Sequence, residues 1–411
     1  MARTKAGLGE GVRLADFLSV SLLARAIPAA QVHQALDAHG SNSQRTRRFP
    51  AVAGVYYVMA LSLYPSTSYE SVYSAVAQGL AWAAGAEQPA PVSKSSISEL
   101  RTRIGAQPLR DLMRNCCQPL ADPCALPRAF YAGLRLVAID GSRIELADET
   151  KIEQEFGRPG SRTGHSGYPQ AQCAILVECA THAILSAEIG PYKGDEWELC
   201  QQLLGALEPG MLCLADRGFS GAAQWQQMRA TGAHVLWRAR SGRLLPAHEV
   251  LADGSYLSRI APTSQAKPRD QLSGQPTVAQ VVRVIEYRLP DAQAGDKPYR
   301  LITSLLDPTQ APALELAALY HQRWQVESTF DELKTHLRQS RRVLRSKTPE
   351  LVRQEFYGWV LAHYAVRWLM HQGAANSQQA GEDLSFTAHI ELLKREQPRS
   401  GAFPPKASET A

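Results

Sequence analysis

Three acidic residues have neighbours that suit phosphodiester chemistry. Asp140 follows the apolar run Leu134-Arg135-Leu136-Val137-Ala138-Ile139, and Asp216 follows Met211-Leu212-Cys213-Leu214-Ala215. Glu327 lies within the spacing Tyr320-x2-Arg323-x3-Glu327-x6-Lys334. Cutting a phosphodiester needs an activated water or hydroxyl, in-line attack, and stabilisation of charge on the attacking and leaving oxygens. Two divalent ions roughly 3.5–4 Å apart supply all of these. Mg²⁺ is a hard cation that takes carboxylate and water oxygens, and three carboxylates from separate elements would hold such a pair without filling its coordination sphere. Arg323 and Lys334 suit phosphate, Arg as a bidentate fork and Lys as a point charge. Tyr320 suits a hydrogen bond to phosphate or a stack on an unpaired base. Bland readings stand beside these. Asp-Gly after a strand is ordinary turn chemistry, and a carboxylate between basic residues is common on a surface helix.

The elements that must position these groups follow from periodicity. On a helix of about 100° per residue, Tyr320, Arg323, Glu327 and Lys334 fall within a stripe about 60° wide. Val326, Phe330, Leu333 and Leu337 make a neighbouring apolar stripe. The spacing therefore predicts a helix over 312–338 that buries its apolar stripe on a sheet and sets its polar stripe at the edge of that contact. The short apolar runs ending at Asp140 and Asp216 read as strands, whose ends are where α/β sheets gather ligands. Further strands are predicted at 171–178, 183–189, 234–237 and 299–306, with helices at 195–207, 222–229 and 351–370. The alternation makes an α/β layer with a mixed sheet. Residues 12–130 read as helical throughout, with Thr67-x-x-Glu70 as a capping box. Residues 240–298 lose the helical signal and read as β-rich, around the branched run Val278 to Ile285 and loops at 261–276 and 290–298.

The expected division is a helical N-terminal domain (1–130) serving as a DNA-binding module or a scaffold, an α/β core in two parts (131–239 and 299–375), a β-rich insertion domain (240–298) and a partly disordered tail (376–411). The 411 residues carry a formal net charge of +5, a mild excess. It is clustered: Arg45, Arg47 and Arg48 lie together, as do Arg338, Arg341, Arg342, Arg345 and Lys347, which suits a polyanion or a solvated surface. Seven cysteines without CxxC spacing argue against a disulfide framework or a structural zinc site and fit a reducing cytoplasm. The start, Met1 to Gly11, has no signal-peptide core. The longest apolar stretch, 52–64, falls short of the ~20 residues of a membrane span and reads as a buried helix. The basic segment Arg158 to His165 is a loop that could touch DNA or solvent. Arg217 would orient Asp216, meet phosphate or form a surface ion pair. Trp237 and Trp324 could stack on a base, although core packing is the commoner fate of tryptophan.

These motifs together resemble the insertion-sequence-4 (IS4) family of bacterial transposases. Tyr320, Arg323, Glu327 and Lys334 match its Y-R-E-K signature. Ala138-Ile139-Asp140-Gly141-Ser142 and Leu214-Ala215-Asp216-Arg217-Gly218-Phe219 look like its first and second acidic motifs, and Ser68-Tyr69-Glu70 lies in a segment similar to its N-terminal domain. The resemblance implies an RNase H-like core with an Asp140-Asp216-Glu327 triad and two Mg²⁺ ions, replaceable by Mn²⁺. It implies cut-and-paste transposition of double-stranded DNA: a 3′ nick at terminal inverted repeats, a hairpin, and joining to target DNA. DNA contacts are expected from Tyr320, Arg323, Lys334, Arg217, Arg338, Arg341 and Arg342. It further implies a homodimer on DNA and a cytoplasmic, nucleoid-associated protein without a membrane segment. The alternatives are a transposase-derived DNA-binding protein without catalysis and an RNase H-like nuclease.

Overall fold

The computed structural model describes residues 23–45, 49–83, 90–161, 164–165, 167–219, 221–261, 278–288, 298–337, 343–377 and 386. The tail beyond 377 (386 apart) and the loop segments 262–277 and 289–297 lie outside the described residues.

Among the described residues five N-terminal helices come first: Ala29–Ala38, Ala51–Leu63, Tyr69–Ala83, Lys94–Ile104 and Gln107–Cys116. Pro50 starts the second, since proline costs nothing where the amide has no helical acceptor. Residues Val52 to Tyr64 are a buried helix, as expected. The third opens one residue later than the capping-box reading: Ser68, not Thr67, caps it, accepting the Ser71 amide at 3.1 Å. No described helix is long and apolar enough to cross a membrane.

The sheet then builds from the strands β1 Phe130–Tyr131, β2 Leu134–Glu145, β5 Gln170–Glu178, β6 Ile184–Pro191, β7 Met211–Ala215 and β8 His234–Arg238, with a two-strand ribbon β3 Gly160–Ser161 and β4 Gly164–His165 between β2 and β5. Strands β9 Glu249–Val250, β10 Tyr256–Ile260, β11 Gln280–Tyr287 and β12 Tyr299–Thr303 complete it. The order is β6-β5-β2-β7-β8-β12-β11-β10-β9, with β1 paired to β2. The first three main strands are antiparallel neighbours, and β7 and β8 add in parallel beside β2. This mixed sheet with flanking helices is an RNase H-like core. Its central runs, Leu136 to Ile139 and all of β7, are buried because helices cover the faces, which is why they read as continuous apolar stretches. The β-rich segment after 240 hydrogen-bonds onto the same sheet, β11 on β12 and β10 on β11.

The predicted helix over 312–338 is present but not uniform. It runs as Ala313–Tyr320, a 3₁₀ turn His321–Arg323, Trp324–Asp331 and a π-helical stretch Glu332–Leu337. The helix Pro349–Ser377 is longer than periodicity indicated. It packs on β6 and on the N-terminal helices, and a Cβ at its Gly358 would lie 2.6 Å from Val58 Cγ1. Only glycine allows that approach.

Candidate active site

Asp140 does not end its strand. Strand β2 continues to Glu145 against β5, while its parallel pairing with β7 stops at Ala138 opposite Leu214. Carrying that register two residues further sets Asp140 beside Asp216, on the same face of the sheet. Asp140 therefore stands where β2 has lost one neighbour, and Asp216 is the first residue past the end of that neighbour.

The turn explanation for Asp140-Gly141 fails. Gly141 pairs with Ala174 inside the strand, and its φ is not positive. The glycine leaves room for Glu196: a Cβ there would sit 1.9 Å from Glu196 Oε1 and would push that carboxylate aside. Glu196 opens the short helix Glu196–Gln201, capped by Asp195, whose carboxylate accepts the Trp197 amide at 3.0 Å. This fourth carboxylate was not identified from the sequence, where Asp195-Glu196 reads only as a helix start.

Asp140 Oδ1 accepts the Gly141 amide at 2.8 Å, and Asp216 Oδ1 accepts the Gly218 amide. Burial, and then the negative charges of Asp216 and Glu196, push the Asp140 carboxyl up to about 7, against the pull of the Gly141 amide and Arg323. The Glu196 carboxyl is raised likewise, by burial first and then by Asp216 and Asp195.

The Tyr320–Lys334 stripe meets these strand ends. Arg323 donates to Glu327 Oε1 at 2.8 Å and lies 3.4 Å from Asp140 Oδ2, so one guanidinium joins the two carboxylates. Lys334 Nζ bonds Ser142 Oγ on β2 and lies over the Phe330 ring. The Tyr320 ring is buried and its hydroxyl donates to the Ala215 carbonyl at 3.1 Å, so it fixes the end of β7. The exposed ring is that of Trp324, with Arg323 beside it at 5.3 Å. Trp237 is fully buried, edge-on to Trp225.

Arg217 is exposed in the turn after Asp216. That turn is held by Arg240, which donates to the carbonyls of Arg217 and Gly218 at 3.1 Å each. Arg338, Arg341 and Arg342 lie outside the described residues. Arg158 pairs with Asp148 and Glu153.

Among the described residues, no three acidic, histidine or cysteine side chains stand close enough to hold a metal ion as they are. The donor set nonetheless fits a hard divalent cation in kind: Asp140, Asp216 and Glu196 are oxygen donors whose mutual repulsion already shows in the raised Asp140 and Glu196 carboxyls. Glu327 joins them through Arg323.

Behind the site, Glu332 opens the π-helical stretch and is nearly buried. Its carboxylate meets His182 at 2.7 Å, His363 at 2.9 Å and the Arg367 guanidinium, whose Nε lies at 2.9 Å. This node ties the triad helix to the β5–β6 turn and to Pro349–Ser377.

An RNase H-like sheet with Asp140 and Asp216 at adjoining strands and Glu327 on the Trp324–Asp331 helix carries the acidic residues expected of a nucleic-acid-cutting enzyme of the DDE class. The comparisons agree. The family described as Transposase DDE domain matches residues 131–365, and that described as Insertion element 4 transposase N-terminal matches residues 18–114. The chain belongs to the IS4 family of DDE transposases, metal-dependent enzymes that cut and join DNA. It is 26% identical over 359 residues to the Escherichia coli K12 transposase InsG for insertion sequence element IS4, covering 87% of this chain and 76% of that protein. It is 24% identical over 235 residues to the putative transposase InsZ of the same organism, covering 57% and 74%. The cryo-EM structure of the piggyBac transposase synaptic complex with hairpin DNA superposes at a TM-score of 0.44 and 12% identity, over 92% of this chain and 79% of that one, too slight a likeness to argue from.

Proposed function

We propose that Asp140, Asp216 and Glu327 are the catalytic triad and hold two Mg²⁺ ions, or Mn²⁺ in their place, at the terminal inverted repeats of an insertion sequence. When bound, the ions supply Lewis-acid charge to the attacking and leaving oxygens. The observation that carries this reading is the register of β2 on β7, which sets Asp140 beside Asp216, with Arg323 linking Asp140 to Glu327.

The chain's own residues do the rest. Tyr320 holds the end of β7, and hence Asp216, against the helix. Arg323 balances the charge of Asp140 and Glu327, and its fork would suit a phosphate beside the cut. Lys334, anchored at Ser142, gives a second cation along the strand. Trp324 is placed to stack on a base unpaired during hairpin formation. The reaction is cut-and-paste: a 3′ nick, a hairpin, and strand transfer, performed by two protomers on paired ends.

A supercoiled plasmid carrying the element's ends should be cut in Mg²⁺ and its 3′ ends joined to target DNA, with Asp216→Ala abolishing both steps while leaving DNA binding intact. Cutting at the wild-type rate by that variant would sink the triad assignment.

A further inference from the structure

A cleft of about 680 Å³ opens between the N-terminal helices and the segment that follows the triad helix. Its described lining includes Lys94, Arg101, Arg345 and Lys347 and no carboxylate. Two of these cations are built into the wall with neutral partners. Arg101 is 3% exposed; its guanidinium donates to Gln354 Oε1 at 2.9 Å, to Ser346 Oγ at 2.8 Å and to the Leu351 carbonyl at 3.3 Å. Arg345 donates to the Thr67 carbonyl at 2.8 Å and lies 4.3 Å from the Tyr69 ring centroid. These neutral acceptors hold both guanidiniums in place at the cleft wall, where the buried Glu355 offsets part of their charge and the exposed lysines add to it. Glu355 stands behind them, accepting the Arg345 and Ser346 amides at 3.0 and 2.8 Å. At the mouth, Lys94 and Lys347 are exposed, and Lys347 meets Glu149 at 2.7 Å in a surface pair of little worth.

The cleft also has a fixed relation to the catalytic strand. Glu145, at the end of β2, bridges to Val343 on the cleft wall. Asp140 lies five residues back along the same strand, which is roughly 17 Å at the strand rise. Lys334, held at Ser142, lies between them. At about 3.4 Å of duplex per base pair, the span is about five base pairs.

We propose that this cleft grips the DNA phosphate backbone about five base pairs from the scissile position and so sets where on the duplex the triad cuts. The proposal rests on the transposase reading above. Each Lys–phosphate contact contributes about 0.9 to the slope of log K against log salt. Fluorescence anisotropy with a duplex of the element's end and a random duplex, over a salt series, should give the Lys94→Ala/Lys347→Ala double variant a slope lower by about 2 on both duplexes. Both lysines are exposed, so the circular dichroism spectrum should not change. Methylphosphonates placed about five base pairs from the cut should weaken the wild type and leave the double variant unaffected. An unchanged slope, or equal sensitivity of both proteins to the neutral phosphates, overturns the cleft. Equal wild-type affinity for both duplexes, with the slope change intact, supports the cleft and removes the terminal-repeat reading. No binding of any duplex by the wild type overturns both.

Discussion

Asp140 stores a cost that a cation can relieve. Its folded carboxyl titrates near 7 and its unfolded carboxyl near the ordinary aspartate value, so the metal-free fold prefers the neutral form. A raised carboxyl stabilises the fold at low pH, and that contribution is lost as pH rises through about 7. Asp140→Asn should therefore raise the metal-free Tm at pH 8, and the gap should close between about pH 7 and pH 4. Calorimetry across that range checks it; an equal gap at pH 4 and pH 8 would remove burial as the cause. Glu196 should behave as part of the same charge cluster. Glu196→Gln should weaken Mn²⁺ binding, measured by titration calorimetry, with the fold intact. Asp140, Asp216 and Glu327 stand out in the sequence because each follows an apolar run or sits on a periodic helix. Glu196 does not, because a helix-opening acid has an ordinary capping explanation. The one available signal was Gly141: a glycine that interrupts a strand marks a close approach. The depth of Tyr320, 8% exposed, was not legible, because a helical wheel reports the stripe but not its depth.

At the scale of elements, the triad helix is held from both sides. Asp253, in the turn before β10, accepts the Ala313 amide at 2.8 Å and pairs with the buried Arg283. Glu332 binds the other end to His182, His363 and Arg367. Desolvation lowers the Arg367 guanidinium to about 9, so this cation depends on its carboxylate. Glu332→Gln should cost about 3–5 kcal/mol in urea unfolding, the range for stranding one partner of a buried pair. A loss near that of a surface pair, below about 1 kcal/mol, would mean that water reaches the node. The same substitution should lower cleavage less than Asp216→Ala, because it moves the support and not a reacting group. Strand and helix order was legible because apolar runs and periodicities are local. The change to π-helix at Glu332 was not, since its partners lie 31 to 150 residues away. Nor was the continuation of β2 past Asp140, where Gly141, Ser142 and Arg143 break the apolar run and the ladder is with β5.

Across the whole molecule, the N-terminal helices and the catalytic sheet share one core. Glu188 on β6 accepts Arg110 at 2.9 Å, Arg114 at 2.8 Å and Tyr357 at 2.9 Å, which joins two N-terminal cations and the helix Pro349–Ser377 on one strand. Gly358 lets the helices Pro349–Ser377 and Ala51–Leu63 touch. Thermal unfolding should therefore show one transition, and Gly358→Val should lower stability by about 1–3 kcal/mol through overpacking. Two resolved transitions in calorimetry would contradict the shared core. At the far side of the sheet, by contrast, the last strand is only Glu249–Val250, and Val250 is 70% exposed. Ten strands joined edge to edge would otherwise present a long row of unpaired amides and carbonyls to any neighbouring copy. A two-residue rim, turned back by Gly254 at φ 82°, is too short to recruit one. Such a rim limits edge-to-edge pairing between neighbouring copies. Lengthening it, more than loosening the interior, is the change that would make the protein aggregate.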